Sequence, residues 1–188
     1  IYRLYMPANK LKFKQWLENQ QDLTDTPQPD ATKILYTAAV LHKYSQQTLV
    51  DTITKLMFET VGSGIPPNWI IRAHHMTIKY APKQSDIEAL KPLLGKEVEL
   101  QVTYWAQDDH GIAVVVHPKT ALPTTNAVNH ITVAHSRDVG AVYSNTLLAD
   151  KSKWIRSKNI TLNSEIACVL RDNVTTIPVL INPASPSL

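Results

Sequence analysis

The chain is poor in cysteine, in glycine, in long apolar runs and in charge of one sign. Cys168 is alone among 188 residues, so no disulfide can form within the chain and a CxxC metal site is excluded. A reducing compartment, cytoplasmic or nuclear, fits that usage best. Glycine is scarce as well, at five residues, and its one cluster is Gly62-Ser63-Gly64-Ile65-Pro66-Pro67. That cluster has neither the P-loop lysine nor dinucleotide-fingerprint spacing, so it is a helix stop and a loop rather than a phosphate cradle. No apolar run approaches the roughly 20 residues that cross a bilayer, and the N-terminus lacks the order of a signal peptide, so a soluble chain with no membrane partner is expected. Nineteen basic against sixteen acidic residues leave a net charge of only +3. This is too mild to indicate nucleic acid by itself, yet it permits a local basic surface for a phosphate. Ile1 in first position fits a segment of something longer, or a processed chain.

What the chain does have is enough apolar residue, 44%, to bury a real core as one domain over 1–188. It also has one short pattern twice: His75-Met76-Thr77, and 55 positions later His130-Ile131-Thr132. Each copy lies in a β-favouring run, where alternate side chains share a face, so the His and Thr of each copy project together. Were the two strands side by side, two imidazoles and two hydroxyls would line one cleft. One imidazole could then take a proton from an attacking oxygen and the other give one to a leaving oxygen, while the hydroxyls bond phosphoryl oxygens. A single His-x-Thr is common by chance; two copies are harder to dismiss.

In chain order, 1–7 reads as a strand and 9–21 as a helix with Asn9 as cap, followed by a Pro/Asp/Thr loop over 22–32. Residues 33–41 are a strand-length apolar run. A helix over 46–59 carries Leu49, Val50, Ile53, Leu56 and Met57 at helical spacing, with Ser45 as its cap. The first motif strand spans 69–80, and a short helix follows over 85–94. Strands over 95–105 and 111–116 form an antiparallel hairpin across a charged turn at 107–110. A loop over 119–129 leads to the second motif strand. A short helix near 143–154 and strands over 160–170 and 176–181 close the fold, and 182–188 reads as a flexible tail. This order is α+β.

The paired motifs resemble those of the 2H phosphoesterase superfamily. Tyr80, three positions after the first Thr, is similar to an aromatic that superfamily members often carry there, and Tyr143-Ser144-Asn145, after a Gly-containing loop, resembles the segment that follows the second motif in the cyclic phosphodiesterase module of fungal-type tRNA ligases. The resemblance covers about 33–170. It implies a bilobal fold of two antiparallel sheets around a central cleft, with one motif from each lobe. It also implies a metal-independent phosphoric diester hydrolase of RNA repair and tRNA splicing, without cofactor, opening a 2',3'-cyclic phosphate at an RNA end to a 2'-phosphate. Ligase and kinase domains in the same parent chain would be its partners. The doubled His74-His75 and the helix over 9–21 lie outside the shared motif.

On this reading His75, Thr77, His130 and Thr132 are catalytic, with His130 the base and His75 the acid, although the sequence is symmetric about that choice. Imidazole suits both roles because it titrates near neutral pH. Tyr80, Tyr143, Trp69 and Trp105 are candidates for stacking on a base, with core packing preferred for the two tryptophans. Lys79 and Lys83 are candidates for attracting RNA. A zinc site on His74, His75, His130 and His135 is rejected, because no Cys or carboxylate stands at ligand spacing. On regular strands, moreover, His74 and His135 would point away from their motif partners. The alternatives kept are a 2'-5' oligonucleotide phosphodiesterase, or another small cyclic phosphate as substrate, and a non-catalytic RNA-binding module.

Overall fold

The structure, a computed structural model, describes residues 31–170 and 176–177. The chain divides into two units, Ile1–Asp30 and Ala31–Leu188, and the described residues all belong to the second. The strand expected over 1–7, the helix over 9–21 and the tail over 182–188 lie outside the described residues.

The described elements are strands with few helices. In order they are β1 (Ile34–Leu41), α1 (Lys43–Val61), β2 (Ile70–Ile71), β3 (His75–Tyr80), α2 (Gln84–Leu90), β4 (Glu97–Gln107) and β5 (Gly111–Pro118). Then come β6 (His130–His135), α3 (Ser144–Ala149), β7 (Ile155–Leu170) and β8 (Thr176–Ile177). No described helix is long and apolar enough to cross a membrane.

The strands run antiparallel in the order β1-β3-β6-β5-β4-β7-β8, with β2 on β6, and β1 also pairs with β7. The path therefore returns on itself as a barrel-like ring. In place of the two separate sheets expected, the described strands form one hydrogen-bonded sheet. The cause is β7, whose 16 residues are far longer than a usual strand. Its first part pairs with β4, from Trp105↔Ile155 to Glu97↔Glu165, and its second part with β1, from Leu41↔Ser164 to Ile34↔Leu170. From sequence alone this strand starts at residue 160, because Arg156-Ser157-Lys158-Asn159 looks too polar to be strand.

Burial follows the apolar pattern. On α1, Leu49, Ile53, Leu56 and Met57 are buried and Val50 packs beside them, so one stripe faces the core and the opposite face stays wet. Gly62 ends that helix at φ 77°, a left-handed conformation that costs a residue without Cβ little. Ser45 is not its cap. The helix starts earlier, after an extended His42, and the buried Ser45 hydroxyl accepts the Asn163 N–H at 2.9 Å, tying α1 to β7. Trp105 is wholly buried, and Trp69 packs at the core's edge. At the β4–β5 turn, the Asp108 carboxylate accepts the N–H groups of His110 (3.0 Å) and Gly111 (3.2 Å).

Candidate active site

β3 and β6 meet at a single register pair, Met76↔Ile131. These are the middle residues of the two motifs, and both are fully buried. Because side chains alternate, sinking Met76 and Ile131 into the core turns His75, Thr77, His130 and Thr132 to the opposite face. In an antiparallel pair this sets His75 across from Thr132 and Thr77 across from His130. The two histidines then lie on a diagonal, where Cα atoms are about 7–8 Å apart. The two motifs thus share one face of adjoining strands.

The pairing is short because β3 is interrupted on both sides. Upstream, Arg72 and Ala73 donate to the carbonyls of Val133 (2.8 Å) and Thr132 (2.9 Å), a register two residues off that of Met76. The excess is taken up at Ala73, whose φ of 42° is left-handed and strained for a residue with a Cβ. Downstream, the 119–129 loop replaces β6: the Thr125 N–H bonds the Ile78 carbonyl (3.1 Å), and the Asn126 amide bonds that of Thr77 (3.4 Å). The continuous strand expected over 69–80 is therefore a bulged one.

The bulge changes what surrounds His75. His74 does not point away from it, as a regular strand would require; the two Nδ1 atoms are 3.1 Å apart, and the rings meet edge to face. On the other side the Tyr36 ring of β1 stacks on His75, with centroids 4.6 Å apart and planes 21° from parallel. Burial above all, then the charges of His74, His130 and Arg72, push the His75 imidazole down to about 3. It is neutral at pH 7 in the free protein. That His130 contributes places the two motif rings within electrostatic reach of each other.

His130 is fixed differently. Its Nδ1 lies 2.9 Å from the Val128 carbonyl. A carbonyl can only accept, so Nδ1 carries the proton and the neutral ring presents a bare Nε2. Burial lowers this imidazole too, against the Val128 bond, which raises it. Thr132 donates its hydroxyl to the Ala141 carbonyl (3.1 Å), which leaves its oxygen to accept from the Ser144 hydroxyl (2.9 Å). The Thr77 hydroxyl has no partner among the described residues. Ala113 and Val115 of β5 stand opposite Thr132 and His130, and with Leu147 and Leu148 of α3 they form an apolar cluster beside the motif.

The remaining candidates divide. Lys79 shares the phase of His75 and Thr77, and its Nζ lies 3.5 Å from Asp86. Tyr80 takes the opposite phase at the strand end, 66% exposed. Tyr143 is held at the β4–β5 turn, where its hydroxyl donates to Asp108 at 2.8 Å and its ring meets His110. Lys153 bonds the same carboxylate at 3.0 Å. Gly111 makes room there, since a Cβ on it would lie 3.1 Å from the Tyr143 ring. His135 is buried, with Nδ1 against the Ser136 carbonyl (2.7 Å) and Nε2 accepting from Arg72 (3.2 Å). Among the described residues the ligand-type cluster is His42, Glu97 and Glu165, which contains neither motif histidine.

Three residues beside His75 lie outside the catalytic and substrate-binding set read from the sequence: Tyr36, Arg72 and His74, the last weighed there only as a zinc ligand. Arg72 carries a signal, as a cation three positions before His75. Tyr36 and His74 reach His75 only through the β1–β3 pairing and the bulge.

A family model described as the fungal tRNA ligase phosphodiesterase domain matches residues 68–178, a span that contains both motifs. No curated protein matches the chain. Among solved structures, one titled "Crystal Structure of Fungal RNA Kinase" is similar at 15% identity and a TM-score of 0.43, covering 86% of this chain. The similarity takes in 53% of that chain, so this chain spans about half its length.

Proposed function

Because the chain belongs to the fungal tRNA ligase phosphodiesterase domain family, we propose that it hydrolyses a 2',3'-cyclic phosphate at an RNA end, leaving a 2'-phosphate. The observation that carries this reading is the Met76↔Ile131 register, which turns both motif pairs to one face. The bare Nε2 of His130 takes a proton from water as the water oxygen bonds phosphorus, and His130 becomes imidazolium. The P–O3' bond breaks on the far side, and His75 passes its Nε2 proton to the departing ribose oxygen while taking up another at Nδ1. One P–O bond forms and one breaks, and no step needs a metal.

The non-bridging oxygens carry the growing charge. The Thr77 hydroxyl donates to one of them. The Thr132 hydroxyl donates to another after rotating away from the Ala141 carbonyl. Arg72 and Lys79 supply positive charge nearby. The Val128 bond supports His130 as the base, since a tautomer with Nδ1–H leaves Nε2 free to accept. RNA is the substrate, and ligase and kinase domains are the expected neighbours in a parent chain.

The test is incubation with RNA ending in a 2',3'-cyclic phosphate, in chelator, with the product end mapped. Conversion to a 2'-phosphate supports the reading. Cleavage of 2'-5' linkages instead would move the substrate class, and tight binding without turnover would make the chain an RNA-binding module.

A further inference from the structure

His75 presents a difficulty for any reaction in which it is the acid. Burial and three neighbouring cations or potential cations oppose its charge. An acid that is neutral at working pH has little proton to give away. The geometry beside it offers a remedy that rests on the reading above.

His74 Nδ1 and His75 Nδ1 face each other at 3.1 Å. Two bare nitrogens would repel at that distance, and so would two N–H groups, so one proton lies between them. The contact is built in. The left-handed Ala73 turns His74 back toward His75, and the His74 carbonyl accepts the Leu41 N–H of β1 at 2.8 Å. On its other side His75 is closed by the Tyr36 ring of β1, with His130 of β6 and Arg72 completing its charged surroundings. His74 is half-buried and opposed by burial alone, so of the two rings it is the better place for a charge.

We propose that His74 is a positioning and proton-storing residue: it holds the proton that His75 delivers. When the pair takes up a proton, His74 carries both ring protons and its Nδ1–H donates to the bare Nδ1 of His75, which fixes His75 as the Nε2–H tautomer. As the P–O3' bond breaks, His75 gives its Nε2 proton to the leaving oxygen and takes the His74 proton at Nδ1. Both rings end neutral, and the charge that leaves His74 equals the proton gained by the ribose. His74, half-exposed, recovers a proton from water, and His130 returns one to it. At no point does the buried His75 carry a full charge.

The test compares wild type with His74→Asn, whose amide can donate to His75 Nδ1 but cannot supply a proton. Two substrates are used: a dinucleotide ending in a 2',3'-cyclic phosphate, and a nitrophenyl ester of a nucleotide, whose leaving group departs without protonation. Expected at pH 7 is a loss of about 100-fold in kcat on the first substrate and about threefold or less on the second. Equal losses on both substrates, or no loss on the first, overturn the proposal.

Nitrogen-15 NMR of the free chain separates this from failure of the functional reading, because it needs no turnover. His74 should gain its second proton before His75, with His75 Nδ1 bare. The reverse order, or a His75 that is Nδ1–H at pH 7, overturns the proposal whether or not the chain hydrolyses a cyclic phosphate.

Discussion

Burying His75 makes stability depend on pH in a way that can be calculated. Its imidazole titrates at about 6.5 in the unfolded chain, and the fold holds it down to about 3. A lowered value means the unfolded chain binds the proton first, so this group's contribution is intact above pH 6.5 and is lost as pH falls from 6.5 toward 3. For one group moving between those values, the loss between pH 7.5 and pH 5 is about 2 kcal/mol. His74 and His130, also lowered, add losses of the same sign, so the diagnostic quantity is a difference between proteins. Urea unfolding of wild type and of His75→Gln at pH 7.5 and 5.0 measures it. The wild type should lose about 2 kcal/mol more than the variant over this interval. An equal loss in both proteins, or a larger one in the variant, would refute the claim that His75 is held neutral by burial.

Other outcomes rest on the same geometry. His75→Ala and His130→Ala should each lower kcat on a cyclic-phosphate dinucleotide by at least about 100-fold, read in a single-turnover assay. Thr77→Val should lower kcat by about 10- to 100-fold with little change in KM, since its hydroxyl acts on charge that develops in the transition state. Met76→Ala should cost about 2–5 kcal/mol in urea unfolding, because it leaves a cavity where the two motif strands touch. Gly111→Ala should cost about 1 kcal/mol by pressing on the Tyr143 ring, with kcat unchanged if that tyrosine serves only the turn.

Much of the fold is legible in periodicity, because apolar spacing is a local property. Leu49, Ile53, Leu56 and Met57 mark α1, and the apolar run over 33–41 marks β1. The polar start of β7 is lost because Arg156, Lys158 and Asn159 face water, while Ile155 and Arg156 already pair with β4 ahead of a bulge before Ile160. Closure into one sheet is illegible for the same reason: it depends on how far that strand runs. At the site, alternation alone gives the shared face of His75 and Thr77. It fails for His74, since the rule assumes a regular strand and Ala73 breaks it at φ 42°. Tyr36 stays hidden, because its contact with His75 exists only once β1 lies beside β3. Tyr143 reads as a cleft aromatic, yet the Asp108 carboxylate at the turn holds its hydroxyl.

The most direct measurement is a crystal structure of the chain with a nucleoside 2'-phosphate product bound. Nε2 of His75 and Nε2 of His130 should both lie about 2.6–3.2 Å from oxygens of one phosphate, on opposite sides of it, with the Thr77 hydroxyl on a third oxygen. A phosphate seated elsewhere, or two rings unable to reach the same one, would contradict the claim that the paired motifs form a single phosphodiester site.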